Sequence, residues 1–381
     1  MKFIVNALDL TKILKTVMKG YDAKETESSA CLEVTPDSLI LTASCSQAHF
    51  MGKIPHIEID TDKDSTFYLH GLTLKQLAGI IPSSDTKITF DFVEKSRVFN
   101  ISYTGHKFKL PIESDFSPKP KPKLTKIGHI QASDFISTMN DLLKIVDSDP
   151  TSSEVPTSCL HLTFEDSELR FFATDQFAMS EIIHPYTELN EDKHEILIKH
   201  QQAFLLNKQY LTGEVLTLVK TNSQFGYIDN DGTVSLVNFS ALDPLDYSPH
   251  KGVAGGDKTV TVTKDTLRKA IDTVSKLSFD DEIVNFNFNI KKNILNVLNS
   301  ANNEIEVPLL DNENMTDLSL SYERTHILNA MVPVLTDEVM FKFGDEIREG
   351  TGAYMAKVSP INQSGDEVTN TFIAVMSKMI E

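Results

Sequence analysis

The chain has 381 residues, 40% of them hydrophobic, and a net charge of −18; several cores are expected, because single cores stop growing near roughly 250 to 300 residues. No run of about 18 apolar residues occurs, and Asp9 and Lys12 interrupt the opening MKFIVNALDLTKIL, so neither a membrane span nor a secretory leader is expected and the cytoplasm is the expected location. Three widely spaced cysteines, Cys31, Cys45 and Cys159, form no CxxC pair, which argues against a disulfide framework or zinc site and for buried apolar thiols.

In chain order, the first apolar stripe with helical spacing is Leu10, Ile13, Leu14 and Val17. A strand-like run, Leu39-Ile40-Leu41-Thr42-Ala43, follows. A strand running into a second helix comes next, FYLHGLTLKQLAGII from Phe67, and alternating strands such as KITFDF from Lys87 close the unit. After Asp115-Phe116-Ser117-Pro118 comes a Pro-Lys stretch to Lys123, best read as an extended linker.

The same order then recurs. The second copy has the stripe Phe135, Thr138, Met139 and Leu142, the run Leu169-Arg170-Phe171-Phe172-Ala173, ILIKHQQAFLLNKQY from Ile196, VSLVNF from Val234, and the exit Asp246-Tyr247-Ser248-Pro249. Gly252-Val253-Ala254-Gly255-Gly256 marks a flexible boundary. The third copy has Leu267, Ala270, Ile271 and Val274, the run from Ile294 to Leu298, LSLSYERTHILNAMV from Leu318, and VMFKFG from Val339. One unit written three times implies three α+β domains, 1–125, 126–256 and 257–381, each with two helices packed on antiparallel sheet.

Net charge is +1, −11 and −8 over these three segments, so the acidic average does not by itself exclude a nucleic-acid partner. With about 100° per residue and the first stripe residue as zero, Lys12, Lys15 and Lys19 fall at about 200°, 140° and 180°, opposite the apolar face. Lys269 and Lys276 of the third copy fall at about 200° and 180°, with Asp272 between them, and Lys144 of the second at about 180°. Lys24, Lys199, Arg268 and Arg324 complete the candidate DNA-binding set. Basic faces that carry no base-reading pattern suit phosphate contacts that position DNA without reading it. Ordinary solvated lysines on helix surfaces give the same pattern.

No GxGxxG, GxxxxGK[ST], HExxH, GxSxG or EF-hand spacing occurs. His194 and His200, with Glu191, Asp192 and Glu195 nearby, read as a solvated charged edge rather than a metal site, and Asp175 has no acid/base partner nearby in sequence. No cofactor, metal or catalytic residue is expected. A hydrolase or transferase built from scattered carboxylates would have to break the repeat.

The MKF opening with its Leu-rich helix, the threefold repeat, Leu169-Arg170 leading to Ala173-Thr174-Asp175, the Asp246-Tyr247 exit and Val375-Met376 together resemble the bacterial beta sliding clamp, the processivity subunit of DNA polymerase III. The resemblance covers the whole chain. It implies the DNA clamp fold, with helices lining a ring of six similar domains made by a head-to-tail homodimer around double-stranded DNA. It also implies no enzymatic activity, loading by a separate ATP-driven clamp loader, and docking of DNA polymerase and loader through short hydrophobic peptides.

Carried over by motif, the resemblance places the partner-peptide cleft at Cys159, Thr174, Gln176, Phe177, Met179, Leu245, Ala374, Val375, Met376 and Met379. Gln176-Phe177-Ala178 stands where the family has Gly-His-Arg, and Val375-Met376-Ser377-Lys378-Met379 where it has Val-Met-Pro-Met. A different peptide preference follows. The rival reading is a clamp-fold interaction scaffold that does not encircle DNA, for which the acidic middle segment is the best argument.

Overall fold

All twelve stripe positions are buried, from Leu10, Ile13, Leu14 and Val17 through Phe135, Thr138, Met139 and Leu142 to Leu267, Ala270, Ile271 and Val274. The computed structural model describes residues 1–61, 63–82, 84–113, 121–146, 155–189, 193–207, 213–253, 256–277, 282–347, 353–368 and 370–378. The exit at 115–118 and the start of the Pro-Lys stretch lie outside these residues.

The first copy runs β1 (Lys2–Asn6), α1 (Ala7–Val17), β2 (Ser29–Val34), β3 (Leu39–Ser44), β4 (Ala48–Ile54), β5 (His56–Asp60) and β6 (Ser65–Leu69). It continues with α2 (Gly71–Ile80), β7 (Lys87–Val93), β8 (Val98–Tyr103) and β9 (His106–Glu113). The second runs β10 (Thr125–Gln131), α3 (Ala132–Leu142), β11 (Cys159–Glu165), β12 (Glu168–Thr174), β13 (Ala178–Pro185), β14 (Thr187–Glu188) and β15 (His194–Lys199). It continues with α4 (His200–Leu205), β16 (Val215–Lys220), β17 (Gln224–Ile228) and β18 (Val234–Asn238). A short helix, α5 (Ser248–Val253), leads into the third: β19 (Lys258–Thr263), α6 (Lys264–Lys276), β20 (Ile283–Asn289), β21 (Ile294–Leu298), β22 (Glu304–Pro308) and β23 (Asp311–Glu313). It ends with β24 (Leu318–Glu323), α7 (Arg324–Ala330), β25 (Glu338–Glu346), β26 (Tyr354–Ile361) and β27 (Thr371–Met376). The order of strands and helices is the same each time.

Local chemistry explains the elements. The Asn6 side chain accepts the Leu8 amide at 2.8 Å and caps α1, satisfying a donor that the first helical turn leaves open. In β20, IVNFNFN buries Val284, Phe286 and Phe288 and turns the asparagines outward, the period-2 pattern of a half-buried strand. Every ladder among the described residues is antiparallel. In each copy the first strand lies between the fifth and seventh (β5-β1-β7, β14-β10-β16, β23-β19-β25), and the second lies between the third and sixth.

The pairing also joins copies. β18 lies on β4, and β27 lies on β13. The chain forms two compact units: Met1–Ile136 with Tyr186–Glu191 and Gln201–Phe239, and Ser137–Pro185 with Asp192–His200 and Ser240–Glu381. The middle segment therefore contributes to both. Cys159 is buried as expected, whereas Cys31 and Cys45 are only half-buried; Cys31 occupies an outward position of β2, and burial still pushes its thiol up to about 11.

In the second unit, Glu367 ties β25 to β26. It accepts from Lys342 at 2.5 Å, from Ser359 at 2.8 Å, and from Lys357. Burial alone would raise its pKa, but the bonds from Lys342, Lys357 and Ser359 outweigh it and hold the carboxyl down at about 2. A depressed carboxyl stabilises the fold above its ordinary pKa near 4.5 and loses that contribution as pH falls towards 2. Glu367→Gln is expected to cost roughly 1–2 kcal/mol at pH 7, allowing for solvent screening, and almost nothing near pH 2; urea unfolding at both pH values checks this.

Candidate nucleic-acid interface and partner cleft

The basic residues divide into engaged and exposed groups. Lys12 on α1 pairs with Asp231 at 2.5 Å, their side chains 54% and 51% exposed, and the Asp231 hydrogen bond is the main cause raising the Lys12 pKa. Lys19 is not on the α-helix, which ends at Val17, but on a 3-10 turn, Met18–Gly20, where it donates to the Asn207 carbonyl. A Cβ at Gly20 would sit 2.5 Å from the Ala43 carbonyl oxygen, so this turn packs directly on β3. Lys15 and Lys24 are exposed.

In the second unit, Lys144 lies in the turn after α3, 3.0 Å from Asp141, and its carbonyl accepts the Asn329 amide at 2.6 Å. Arg324, at the start of α7, holds Asp272 of α6 at 3.2 Å. Lys199 is half-buried at the end of β15. Arg268, Lys269 and Lys276 are exposed on α6, and neither they nor Lys15 hold an ion pair among the described residues. Asp231, Asp141 and Asp272 are the partners that sequence reasoning did not supply. Only Asp141, three residues from Lys144, is near enough in sequence to suggest its pairing; Asp272 lies four residues from Lys276 but pairs with Arg324, 52 residues away.

The candidate cleft residues also separate. Cys159, Thr174, Met179, Ala374 and Val375 are buried. Met179 and Ala374 form a cluster with Phe172 and Met355, on which Tyr247 and Phe372 pack. After β12 the Asp175 carboxylate accepts the Phe177 and Ala178 amides at 3.0 and 2.7 Å, which fixes a tight turn and thrusts Phe177 outward, 46% exposed. Phe177 stacks on His326, ring centroids 5.0 Å apart, and its carbonyl accepts the Met376 amide at 2.7 Å. His326 Nε2 is 3.3 Å from Asp175. Burial raises the Asp175 pKa, against the hydrogen bond from the Ala178 amide and the charge of His326.

Leu245 belongs to the second unit, near Tyr247. It lines a polar cleft of about 460 Å³ with Glu181, Arg170, Glu195 and Tyr247. There Tyr247 stacks flat on Phe172 at 3.6 Å and donates to Glu181 at 2.6 Å, while Lys251 holds the other Glu181 oxygen at 2.5 Å. Burial and then Glu181 raise the Tyr247 pKa, so its hydroxyl stays protonated. Met379, Glu191 and Asp192 lie outside the described residues, and among those described no group of three or more His, Cys, Asp or Glu side chains could hold a metal.

No family model and no curated protein matches the sequence. Solved structures do. The DNA polymerase sliding clamp of Bacillus subtilis superposes with a TM-score of 0.82 at 14% identity, covering 100% of both chains. The DNA polymerase III beta subunit of Pseudomonas aeruginosa gives 0.81 at 16% identity, again covering 100% of both. That of Thermotoga maritima gives 0.78 at 15%, with the same coverage. The chain has the sliding-clamp fold.

In this clamp fold the Asp175 turn carries a local strain. Gln176 has φ +81°, a region that costs a side-chain-bearing residue roughly 1 kcal/mol and that glycine enters freely. Gln176→Gly relieves that strain but gives the unfolded chain about 0.4–1 kcal/mol more conformational entropy, so the two nearly offset and the urea midpoint is expected to move little. Among the described residues, no helix of this clamp fold is long and apolar enough to cross a membrane.

Proposed function

We propose that the chain is a non-enzymatic DNA sliding clamp, two copies of which close head to tail around duplex DNA and tether a polymerase for processive synthesis. The observation that carries this reading is the clamp fold matched over 100% of the chain, with its one element order in triplicate. The segments 1–125, 126–256 and 257–381 are its three domains. Lys15 of α1 and Arg268, Lys269 and Lys276 of α6 are the cations available to phosphates, and such contacts hold DNA without reading sequence. Phe177, with the half-buried Met376 beside it, is the apolar platform for short hydrophobic partner peptides from polymerase and loader.

Solution mass by light scattering tests the two-chain assembly. A mass near twice 42.6 kDa at micromolar concentration and physiological salt is expected. A persistent 42.6 kDa species contradicts a self-closing ring. The engagement of Lys12 by Asp231 and of Arg324 by Asp272 favours a second reading, a clamp-fold protein-interaction scaffold. Salt-sensitive retention on DNA separates the two, because only phosphate contacts release counterions.

A further inference from the structure

The backbone of Phe177 is fixed twice over, by its amide donating to Asp175 at 3.0 Å and by its carbonyl accepting from Met376 at 2.7 Å. Its ring is held differently. It stands off the turn, 46% exposed, with the imidazole of His326 against one face, the two planes 14° apart and the centroids 5.0 Å apart. That imidazole is largely buried and sits between two carboxylates. Nε2 lies 3.3 Å from Asp175 and Nδ1 lies 3.5 Å from Glu323.

A neutral imidazole has one N–H and one lone pair, whereas an imidazolium has two N–H groups. With a carboxylate beside each nitrogen, either neutral tautomer turns a lone pair towards negative charge. Only the cation suits both sides. The cation is also the better neighbour for Phe177, because the face of an aromatic ring is negative and attracts a cation laid over it. Histidine is the side chain whose charge ordinarily changes between about pH 5 and 8, so both attractions are gained and lost within that range.

We propose that His326 is the positioning residue of the docking platform, and that its proton sets how firmly the Phe177 ring is held, so that apolar peptides dock more tightly when the imidazole is charged. The proposal rests on the reading of Phe177 as a partner-docking residue and adds a regulation of that site. Asp175 joins the two parts. One of its oxygens accepts the Phe177 and Ala178 amides and shapes the turn, and the other faces His326. A charged His326 therefore attracts both the ring and the carboxylate that thrusts the ring outward. A ring already held in place needs less ordering when a peptide arrives.

The other charged groups around α7 have partners of their own. The helix packs on β13, β24 and β27. On β13, Glu181 is held by Tyr247 and Lys251, and His184 meets Thr138. β24 ends in Glu323 itself, and beyond β27 the Lys378 amide donates to the Ser321 carbonyl. On α7, Arg324 is held by Asp272, and Asn329 reaches the carbonyl of Lys144, whose ammonium pairs with Asp141. Asp175 and Glu323 are the two that hold His326 in ion-pair contact, so the sign is set by them: the hold on the ring weakens as pH rises and the proton leaves.

The test exploits the absence of tryptophan from the chain. Phe177→Trp lays a single indole on His326, and a stacked imidazolium quenches indole emission by accepting charge from the excited ring, far more than a neutral imidazole does. Emission of the full-length variant is expected to fall at least about twofold between about pH 8.5 and 5.5, across the ordinary titration of histidine. In F177W/H326Q, which cannot take up that proton, the fall is expected to vanish. Emission that ignores pH, or that changes alike in both variants, overturns the clasp. Docking is read with a rhodamine-labelled Leu-Leu-Phe amide, a peptide with no titrating side chain. Binding to the unmodified chain is expected to be about threefold tighter at the acid end, the exposed-site end of cation–aromatic attraction. His326→Phe keeps a stacked ring without the proton, and its affinity is expected to be the same at both ends. Equal pH dependence in the two proteins overturns the regulation. A probe that binds neither protein at either end overturns the docking half together with the reading of Phe177, while the clasp is decided by the tryptophan emission alone.

Discussion

Replacing Lys15, Lys269 and Lys276 together by glutamate is expected to lower DNA affinity at least about a hundredfold near physiological salt, with no loss of dimer. These three are exposed and hold no ion pair among the described residues, so their ammonium groups are available to phosphates. Each phosphate neutralised steepens the dependence of log K on log salt by about 0.9. A two-chain ring would lose six such cations and gain six carboxylates, which flattens the slope as well as lowering the affinity. Stability should move by under about 0.5 kcal/mol for each exposed change. Lys12 and Lys19 are expected to contribute less, because one already neutralises Asp231 and the other already donates to the Asn207 carbonyl. Titration of a fluorescent duplex at several salt concentrations checks both the drop and the slope; an unchanged slope would remove these helices from the DNA contact.

The second large effect is expected at the Asp175 turn. Phe177→Ala with Met376→Ala should weaken binding of a short hydrophobic partner peptide about a hundredfold or more, since apolar anchors of this kind each carry roughly 2 kcal/mol. The turn itself should persist. It is held by backbone amides donating to Asp175, by Thr174 donating to the Ala178 carbonyl at 2.8 Å, and by the Met376 amide on the Phe177 carbonyl, none of which involves the deleted side chains. Dimer mass should therefore be unchanged while peptide binding, followed by fluorescence anisotropy, is lost. Equal peptide affinity in the variant would move the docking site away from Phe177.

Much of the architecture was legible because it depends on periodicity. A helix that packs on a sheet must bury one stripe, so spacing alone picked out all twelve buried stripe residues. Repetition of that stripe and of the strands after it gave the threefold order that the structure displays. Charge placement was legible only in part. Helical angles put Lys19 on the face opposite the core, but the α-helix stops at Val17 and Lys19 sits on a 3-10 turn whose Gly20 approaches Ala43 too closely for a side chain. No local signal announces that Asp231, 219 residues from Lys12, will lie 2.5 Å from it.

The cleft residues show the same limit. Motif position led to Thr174, Phe177 and Met179 alike, yet strand alternation and the Asp175 turn bury the first and last and expose the middle one. His326, which supports Phe177 by stacking, comes from a helix about 150 residues away in sequence. Cys159, Ala374 and Val375 are held inside by the sheet, which motif position alone does not reveal.

The most direct test of the clamp reading is topological. Dilution to low concentration should open any two-chain ring by mass action; concentrating the protein again in the presence of closed circular plasmid should then reassemble rings around the DNA. The account predicts that protein co-elutes with the circle in gel filtration and is released when a single restriction cut linearises it. Protein that never associates with the circle, or that stays bound after linearisation, would contradict encirclement.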